Sequence, residues 1–198
     1  PKPPAPTPRN ASAPLYISYI FKNDLKATLA NATVVPDVVN LAFGSPGTGD
    51  NVSADEIKKS FDKAGTTFTA DDVKAAQAKG TKVLASIGGW TWLVQMAQAL
   101  KSSDQKGWEH SLATAIGDFV TKFNLDGVDI DLEQTPSACS DDPTSAACVA
   151  VVEGWYHFVR QLRALMDADA RKEYLLTAVP INTKFADPVA GGYASWGA

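Results

Sequence analysis

The chain has 198 residues, 45% of them hydrophobic, and its 18 Lys and Arg residues are outnumbered by 22 Asp and Glu residues, which leaves a formal net charge of −4. This balance does not suggest nucleic acid or an anionic membrane surface as a partner, and we expect neither. No apolar stretch reaches the length that spans a bilayer. The length suffices for one domain with a substantial core.

The amino-terminal residues 1–14 carry prolines at alternate or nearly alternate positions, with Ala, Thr and Ser between them. This composition is typical of an extended linker, so we place the folded part of the chain at 15–198. The apolar run 15–21 is rich in β-favouring residues and predicts a first strand, and a short helix is predicted at 24–32.

The next elements follow the same alternation. A second strand is predicted at 38–43, and Gly, Pro and Asn mark a loop at 44–51. A helix at 69–79 begins with a capping signal and ends at Gly80. The third strand is predicted at 82–87.

The second half of the chain continues in this way. The predicted helices span 92–100, 105–123 and 149–168, the predicted strands span 126–133 and 174–180, and 191–198 is a loop. Strands separated by helix-length segments predict repeated βα units with right-handed crossovers, and therefore an α/β fold with a parallel sheet.

The segment 126–133, Asp-Gly-Val-Asp-Ile-Asp-Leu-Glu, alternates acids with apolar residues. Because successive side chains of a strand point to opposite faces, Asp129, Asp131 and Glu133 would share one face at a spacing of about 6.5–7 Å. Three acids crowded at a poorly hydrated site cannot all stay ionised, so at least one should hold a proton near neutral pH. A protonated carboxyl beside an ionised one is what glycosidic bond cleavage needs.

Two other interpretations of these acids were weighed. A solvated strand face, or acids paired with Lys and Arg, would also give alternating charge, but the stretch contains no basic residue. A calcium loop needs a turn glycine inside the acids and a Glu well beyond them, and segment 126–133 fits that arrangement poorly. We therefore expect no metal at this segment.

Segment 126–133 resembles the D-G-x-D-x-D-x-E signature of family 18 glycoside hydrolases, the chitinases and their relatives. Upstream, the run 82–90 is similar to the family's S-x-G-G strand, and 38–43 is similar to its second strand. The resemblance implies a (β/α)8 barrel of the TIM type, which typically needs about 250 residues. About five βα units are present here, so the chain is either the N-terminal part of a longer catalytic barrel or a natural short form.

The resemblance also implies roles for the acids. Glu133 would be the general acid, Asp131 would orient the substrate's acetamido group, and Asp129 would share a proton with Asp131. The family uses the acetamido group as its nucleophile, so no second carboxylate nucleophile is required. The further residues that the resemblance places at the sugar site are Tyr19, Phe43, Ser86, Gly88, Gly89 and Trp90. Plain core packing explains the aromatic residues equally well, and a tight turn explains the glycines.

The implied activity is that of a chitinase that hydrolyses β-1,4-linked N-acetylglucosamine polymers with retention. Its partners would be chitin or chito-oligosaccharides, and it would need no cofactor. An endo-β-N-acetylglucosaminidase acting on N-glycans shares the acidic signature and is one alternative. A non-catalytic chitin-binding or lectin-like member is the other, although such relatives commonly have the terminal Glu replaced, whereas Glu133 is intact here.

Two features suggest a secreted, extracellular protein. Cys139 and Cys148 lie close together in one polar loop, where a local disulfide is preferred over two free thiols. N-glycosylation patterns begin at Asn10, Asn31 and Asn51. The sequence does not set the oligomeric state.

Overall fold

The computed structural model describes residues 15–46, 52–89, 108–133, 142, 144–169 and 172–180. Within these ranges strands and helices alternate along the chain. The strands are β1 (Ile17–Phe21), β2 (Val38–Gly44), β3 (Lys82–Gly88), β4 (Gly127–Leu132) and β5 (Leu175–Pro180). The helices are α1 (Leu25–Asn31), α2 (Ala54–Ala64), α3 (Ala70–Gln77), α4 (Trp108–Lys122) and α5 (Ala146–Ala168).

The sheet has the order β1-β2-β3-β4-β5, and every neighbouring pair is parallel. Consecutive strands are adjacent because each is joined to the next by a helical crossover. The prediction of an α/β fold with a parallel sheet and about five βα units is thereby confirmed. Each of the five predicted strands is found.

Helix α2 was not predicted, yet its sequence carries the signals of a helix. The Ser53 side chain accepts a hydrogen bond from the backbone N–H of Glu56, which is an N-cap. Ile57 and Phe61 lie four residues apart and are both fully buried, so they form one apolar face. The helix ends at Gly65, which adopts the left-handed conformation.

The hydrophobic core lies between the sheet and the helices. Phe61, Phe68 and Phe119 pack there with ring centroids 5.4–6.2 Å apart. Val128 and Ile130 of β4 join this core, while Asp129 and Asp131 occupy the opposite face of the same strand, as the alternation predicts. The acids therefore lie on the concave side of the sheet, away from the helices.

Asp126, the first acid of the motif, does not belong to the acidic row. It stabilises the start of β4 instead. Its Oδ2 accepts hydrogen bonds from the backbone N–H of Val83 and from Gln77 Nε2, both at 2.9 Å. Lys82 Nζ lies 3.3 Å from Oδ1. A carboxylate buried to this degree is tolerated because each oxygen has a donor. These bonds join β3 to β4 at the level where the acidic strand begins.

Several predictions fall outside the described residues. They are the linker at 1–14, the helix at 92–100, the loop at 191–198, Trp90, Cys139, and the glycosylation patterns at Asn10 and Asn51. Asn31 is described, and it is exposed at the end of α1. No helix in the described ranges is both long enough and apolar enough to span a membrane.

Candidate active site

Asp129 and Asp131 lie at two successive levels of the concave face, close to the carboxyl ends of the parallel strands. Asp129 is level with Ser86 of β3 and Thr177 of β5, and Asp131 is level with Gly88 and Val179. Both acids are almost completely buried, with 1% and 4% of their surface exposed. Glu133 follows the end of β4 and is half-buried.

Asp129 is surrounded by hydroxyl groups. Tyr19 Oη and Ser86 Oγ donate to its Oδ2 at 2.8 and 2.9 Å, and Thr177 Oγ1 donates to its Oδ1 at 2.6 Å. The three donors come from β1, β3 and β5, so the curvature of the sheet brings together residues that are far apart in sequence. Each oxygen of this buried acid thus has at least one hydrogen-bond donor, as burial of a polar group requires.

Asp131 has a different environment, because its sheet neighbours Gly88 and Val179 offer no polar side chain. It shares a hydrogen bond with Glu133. Burial, this hydrogen bond, and the negative charges of Glu133 and Asp129 raise the pKa of Asp131 to about 7. Asp131 thus holds a proton close to neutral pH, one level below Glu133.

Tyr19 and Asn40 form a short hydrogen-bonded chain that ends at Asp129. Burial, followed by the negative charge of Asp129, raises the pKa of the Tyr19 hydroxyl above its ordinary value, so the hydroxyl remains a donor. The side-chain amide of Asn40 donates to the same hydroxyl, and Asn40 is 3% exposed. A buried polar side chain that orients a tyrosine in this way restricts where the hydroxyl points.

Comparison with known proteins decides the family. The model of the family described as Glycosyl hydrolases family 18 matches residues 16–193. The chain belongs to glycoside hydrolase family 18. The fold prediction and the family resemblance of segment 126–133 are therefore both confirmed.

Relatives of this family 18 chain are longer than it is. Chitinase D of Niallia circulans is 28% identical over 184 residues, which cover 85% of this chain and 29% of that protein. A GH18 chitinase from Pseudoalteromonas aurantia is 26% identical, with a TM-score of 0.61, over 91% of this chain and 60% of that one. A GH18 chitinase from Cycas revoluta, solved in complex with (GlcNAc)4, shares the fold at 17% identity, with a TM-score of 0.54, over 83% of this chain and 45% of that one. The chain thus spans less than two thirds of the length of each relative.

The predicted sugar-site residues of this family 18 member lie at one end of the sheet. Tyr19 and Phe43 pack against each other with ring centroids 6.3 Å apart, and Phe21 lies 5.7 Å from Phe43. The peptide bond between Ala42 and Phe43 is cis. Phe21 is 46% exposed beside this pair and was not among the predicted residues. The structure does not describe Trp90.

The two glycines of the S-x-G-G run allow close packing at the end of β3. Gly88 has a φ of +135°, and a Cβ there would lie 2.0 Å from the carbonyl oxygen of Asp131. The backbone N–H of Gly89 donates to that same oxygen at 3.1 Å. A Cβ on Gly89 would meet the Phe43 ring at 3.2 Å. Gly88 therefore lets β3 approach the backbone of Asp131 closely, and Gly89 leaves room for the Phe43 ring.

Sequence reasoning missed Asn40 and Thr177 in the family 18 site. Asn40 is a polar residue inside the apolar run of β2, and that interruption was a usable signal. Thr177 is an ordinary residue for a strand, so nothing in its local pattern distinguished it. Its importance follows from the register between β4 and β5.

The raised pKa of Asp131 predicts that stability falls as the pH rises. In the native state Asp131 keeps its proton up to about pH 7, whereas the ordinary value is 3.8. The native state binds more protons between these values, so the free energy of unfolding decreases across this window, by at most about 4 kcal/mol. Asp131→Asn cannot titrate. Between about pH 4.5 and 7.5, the unfolding free energy of the parent should therefore fall by roughly 2–4 kcal/mol relative to that of Asp131→Asn.

The measurement is urea unfolding of parent and variant at both pH values. Three other acids have a lowered pKa in the native state: Asp24, Asp55 and Asp142. They change the free energy of unfolding only below this pH window, and they do so equally in parent and variant. Parallel pH dependence of the two proteins would contradict the assignment of this proton to Asp131.

Proposed function

We propose that this chain carries the acid-base centre of a retaining chitinase that acts on β-1,4-linked N-acetylglucosamine polymers. The observation that supports the proposal is the row Asp129, Asp131 and Glu133, in which the middle acid is buried and hydrogen-bonded to the outer one, so that its pKa is raised to about 7. A double mutant of the Cycas revoluta relative was solved in complex with (GlcNAc)4, which is the ligand class expected here. Chitin and chito-oligosaccharides are accordingly the proposed partners.

Glu133 has the position of a general acid in this proposal. It lies at the carboxyl end of β4, where a parallel barrel carries its reacting groups. Glu133 gives its proton to the glycosidic oxygen as the bond to the leaving sugar breaks, and it later takes a proton from the attacking water. Asp131, one level below, shares its hydrogen bond with Glu133 before cleavage and turns to the substrate's acetamido N–H during it.

The acetamido group of the substrate supplies the nucleophile. Its carbonyl oxygen attacks the anomeric carbon while the leaving oxygen takes the proton of Glu133, which gives an oxazolinium ion. Water then attacks the same carbon from the side of the leaving group, so the configuration is retained. The proton that Asp131 shares passes to Glu133, which delivers it to the leaving oxygen, and the negative charge left on Asp131 stabilises the positive charge of the ring that forms. Asp129, held by hydroxyl donors, tunes the charge of Asp131.

Binding without hydrolysis is the second candidate, and one observation favours it. Thr177 and Val179 on β5 are exposed to solvent, so this side of the concave face is open in the described residues. A site open on one side loses part of the exclusion of water that strengthens its electrostatics. The endo-β-N-acetylglucosaminidase alternative has the same acids and differs only in its substrate.

A substrate series tests the proposal. The chain is assayed with a chromogenic chitotriose glycoside, with the same glycoside lacking the N-acetyl group on the cleaved sugar, and with an N-glycan. We expect release from the first substrate only, with retained configuration at the new anomeric centre by NMR. Equal release from the deacetylated glycoside would contradict acetamido participation. Cleavage of the N-glycan alone would favour the endo-β-N-acetylglucosaminidase, and bound but uncleaved chitotriose would favour the binding protein.

Secretion and a disulfide between Cys139 and Cys148 are also proposed. The support is the sequence, together with the burial of Cys148, which lies in the first turn of α5 and not in the loop that the sequence predicted for it. Thiol alkylation before and after reduction, read by mass, tests the disulfide: labelling of both cysteines without reductant would exclude it.

A further inference from the structure

Thr177 makes the shortest of the hydrogen bonds to Asp129. Its Oγ1 lies 2.6 Å from Oδ1, while Tyr19 and Ser86 both donate to Oδ2. Thr177 and Asp129 are register partners in neighbouring strands, so the contact is built into the pairing of β4 with β5. Among the described residues, Thr177 is the one side chain that donates to Oδ1.

The two oxygens of Asp129 therefore differ in what they can still accept. An ionised carboxylate offers about four acceptor positions, two on each oxygen. Two donors fill Oδ2, and Thr177 takes one position on Oδ1. Asp131 is the next acid on the same face, and its protonated form needs one acceptor. Asp129 lies on one side of Asp131 along β4 and Glu133 on the other, and either carboxyl group could accept this hydrogen bond.

The structure shows the outcome of this competition. Asp131 hydrogen-bonds to Glu133, and Asp129 acts on it through its charge. The other side chains that face the row are uncharged in the described residues: Asn40 on β2, Ser86 on β3, and Thr177 and Val179 on β5. Tyr19 on β1 is titratable, and the raised pKa of its hydroxyl keeps it neutral.

We propose that Thr177 is a positioning residue that directs the Asp131 side chain toward Glu133. By donating to Oδ1 of Asp129, the Thr177 hydroxyl weakens Asp129 as an acceptor. Asp131 therefore shares its proton with Glu133 rather than with Asp129. The role in catalysis rests on the proposed function, whereas the effect on the proton does not. Before cleavage, this arrangement keeps the proton beside the group that must deliver it.

The test compares Thr177→Val with Thr177→Ser. Valine keeps the shape and removes the hydroxyl, and position 177 is exposed, so the fold should tolerate it. Serine keeps the hydroxyl and is the matched control. The readout is the Asp131 carboxyl carbon, followed by NMR through a pH titration of the whole chain, and it needs no activity. Urea unfolding verifies that each variant is folded.

We expect Thr177→Val to raise the pKa of Asp131 by about one unit, because Asp129 then accepts the proton of Asp131 and carries a less stabilised charge. Thr177→Ser should titrate like the parent. A parental titration in Thr177→Val would overturn the proposal, and so would an equal shift in both variants, since that would assign the effect to the methyl group.

Kinetics separate this inference from the proposed function. Where the parent hydrolyses the chitotriose glycoside, Thr177→Val should lower kcat about 10-fold with KM changed less than about twofold, and Thr177→Ser should restore the rate. If the parent hydrolyses nothing, the proposed function fails while the NMR titration still decides whether Thr177 directs the proton. A KM effect with unchanged kcat would contradict the positioning role.

Discussion

Replacing Glu133 by Gln is expected to lower kcat for chitotriose hydrolysis by about 10²–10⁴-fold, which is the usual contribution of general acid-base catalysis. The amide keeps the shape of the carboxyl and still hydrogen-bonds, but it has no proton to deliver to the glycosidic oxygen. Binding of the oligosaccharide should change little, because the side chain stays in place. Glutamine at 133 should therefore separate cleavage from recognition.

The measurements are single-turnover hydrolysis and calorimetric binding of chitotriose. Glu153→Gln is the matched control, since Glu153 is an exposed acid on α5 and should leave the rate unchanged. A second readout is independent of activity: two of the causes that raise the pKa of Asp131 come from Glu133, so this pKa should fall in Glu133→Gln. A Glu133→Gln variant that keeps most of the parental rate would contradict the role of Glu133 as the general acid.

Replacing Gly127 by Ala is expected to cost about 4 kcal/mol or more in the free energy of unfolding, or to prevent folding. Gly127 has a φ of +152°, and a Cβ there would lie 1.9 Å from the carbonyl oxygen of Leu175. That atom belongs to the backbone of β5, so no side-chain rotation relieves the overlap. The two strands would have to separate at the base of the acidic strand.

Gly117→Ala is the control for this experiment. Gly117 lies within α4, and its added Cβ would meet Leu165 at 3.8 Å, an ordinary contact. We expect a gain of about 0.5–1 kcal/mol, because alanine favours the helix. Urea unfolding followed by circular dichroism compares both variants with the parent. A Gly127→Ala protein within 1 kcal/mol of the parent would show that β4 and β5 do not pack as closely as described.

The two predictions concern the same strand at different levels. Gly127 sets how closely β5 approaches β4, and the register of that pair places Thr177 opposite Asp129. The acidic row and its supporting hydroxyls thus depend on strand packing that begins two residues earlier. A defect at Gly127 should disturb the titration of Asp131 even in molecules that remain folded.

Most of the fold could be predicted from local pattern. The alternation of apolar runs with helix-length segments predicted each of the strands, and the capping pattern at Thr69 and Asp72 predicted the start of α3. Helix α2 was missed although Ser53, Ile57 and Phe61 carried its cap and its buried face. The information that specifies this helix is local and present in the sequence.

Local patterns in the sequence predict the order of the βα units, the face on which the acids lie, and the identity of the acids. These properties depend on the periodicity of a strand and on residues within one short segment. No local pattern predicts that Tyr19, Ser86 and Thr177 converge on Asp129, over separations of 110, 43 and 48 residues. The register of β4 with its neighbours places Asp131 between Gly88 and Val179, neither of which carries a hydroxyl group. Such convergence follows from the register and curvature of the sheet, which are set by long-range packing rather than by any local pattern.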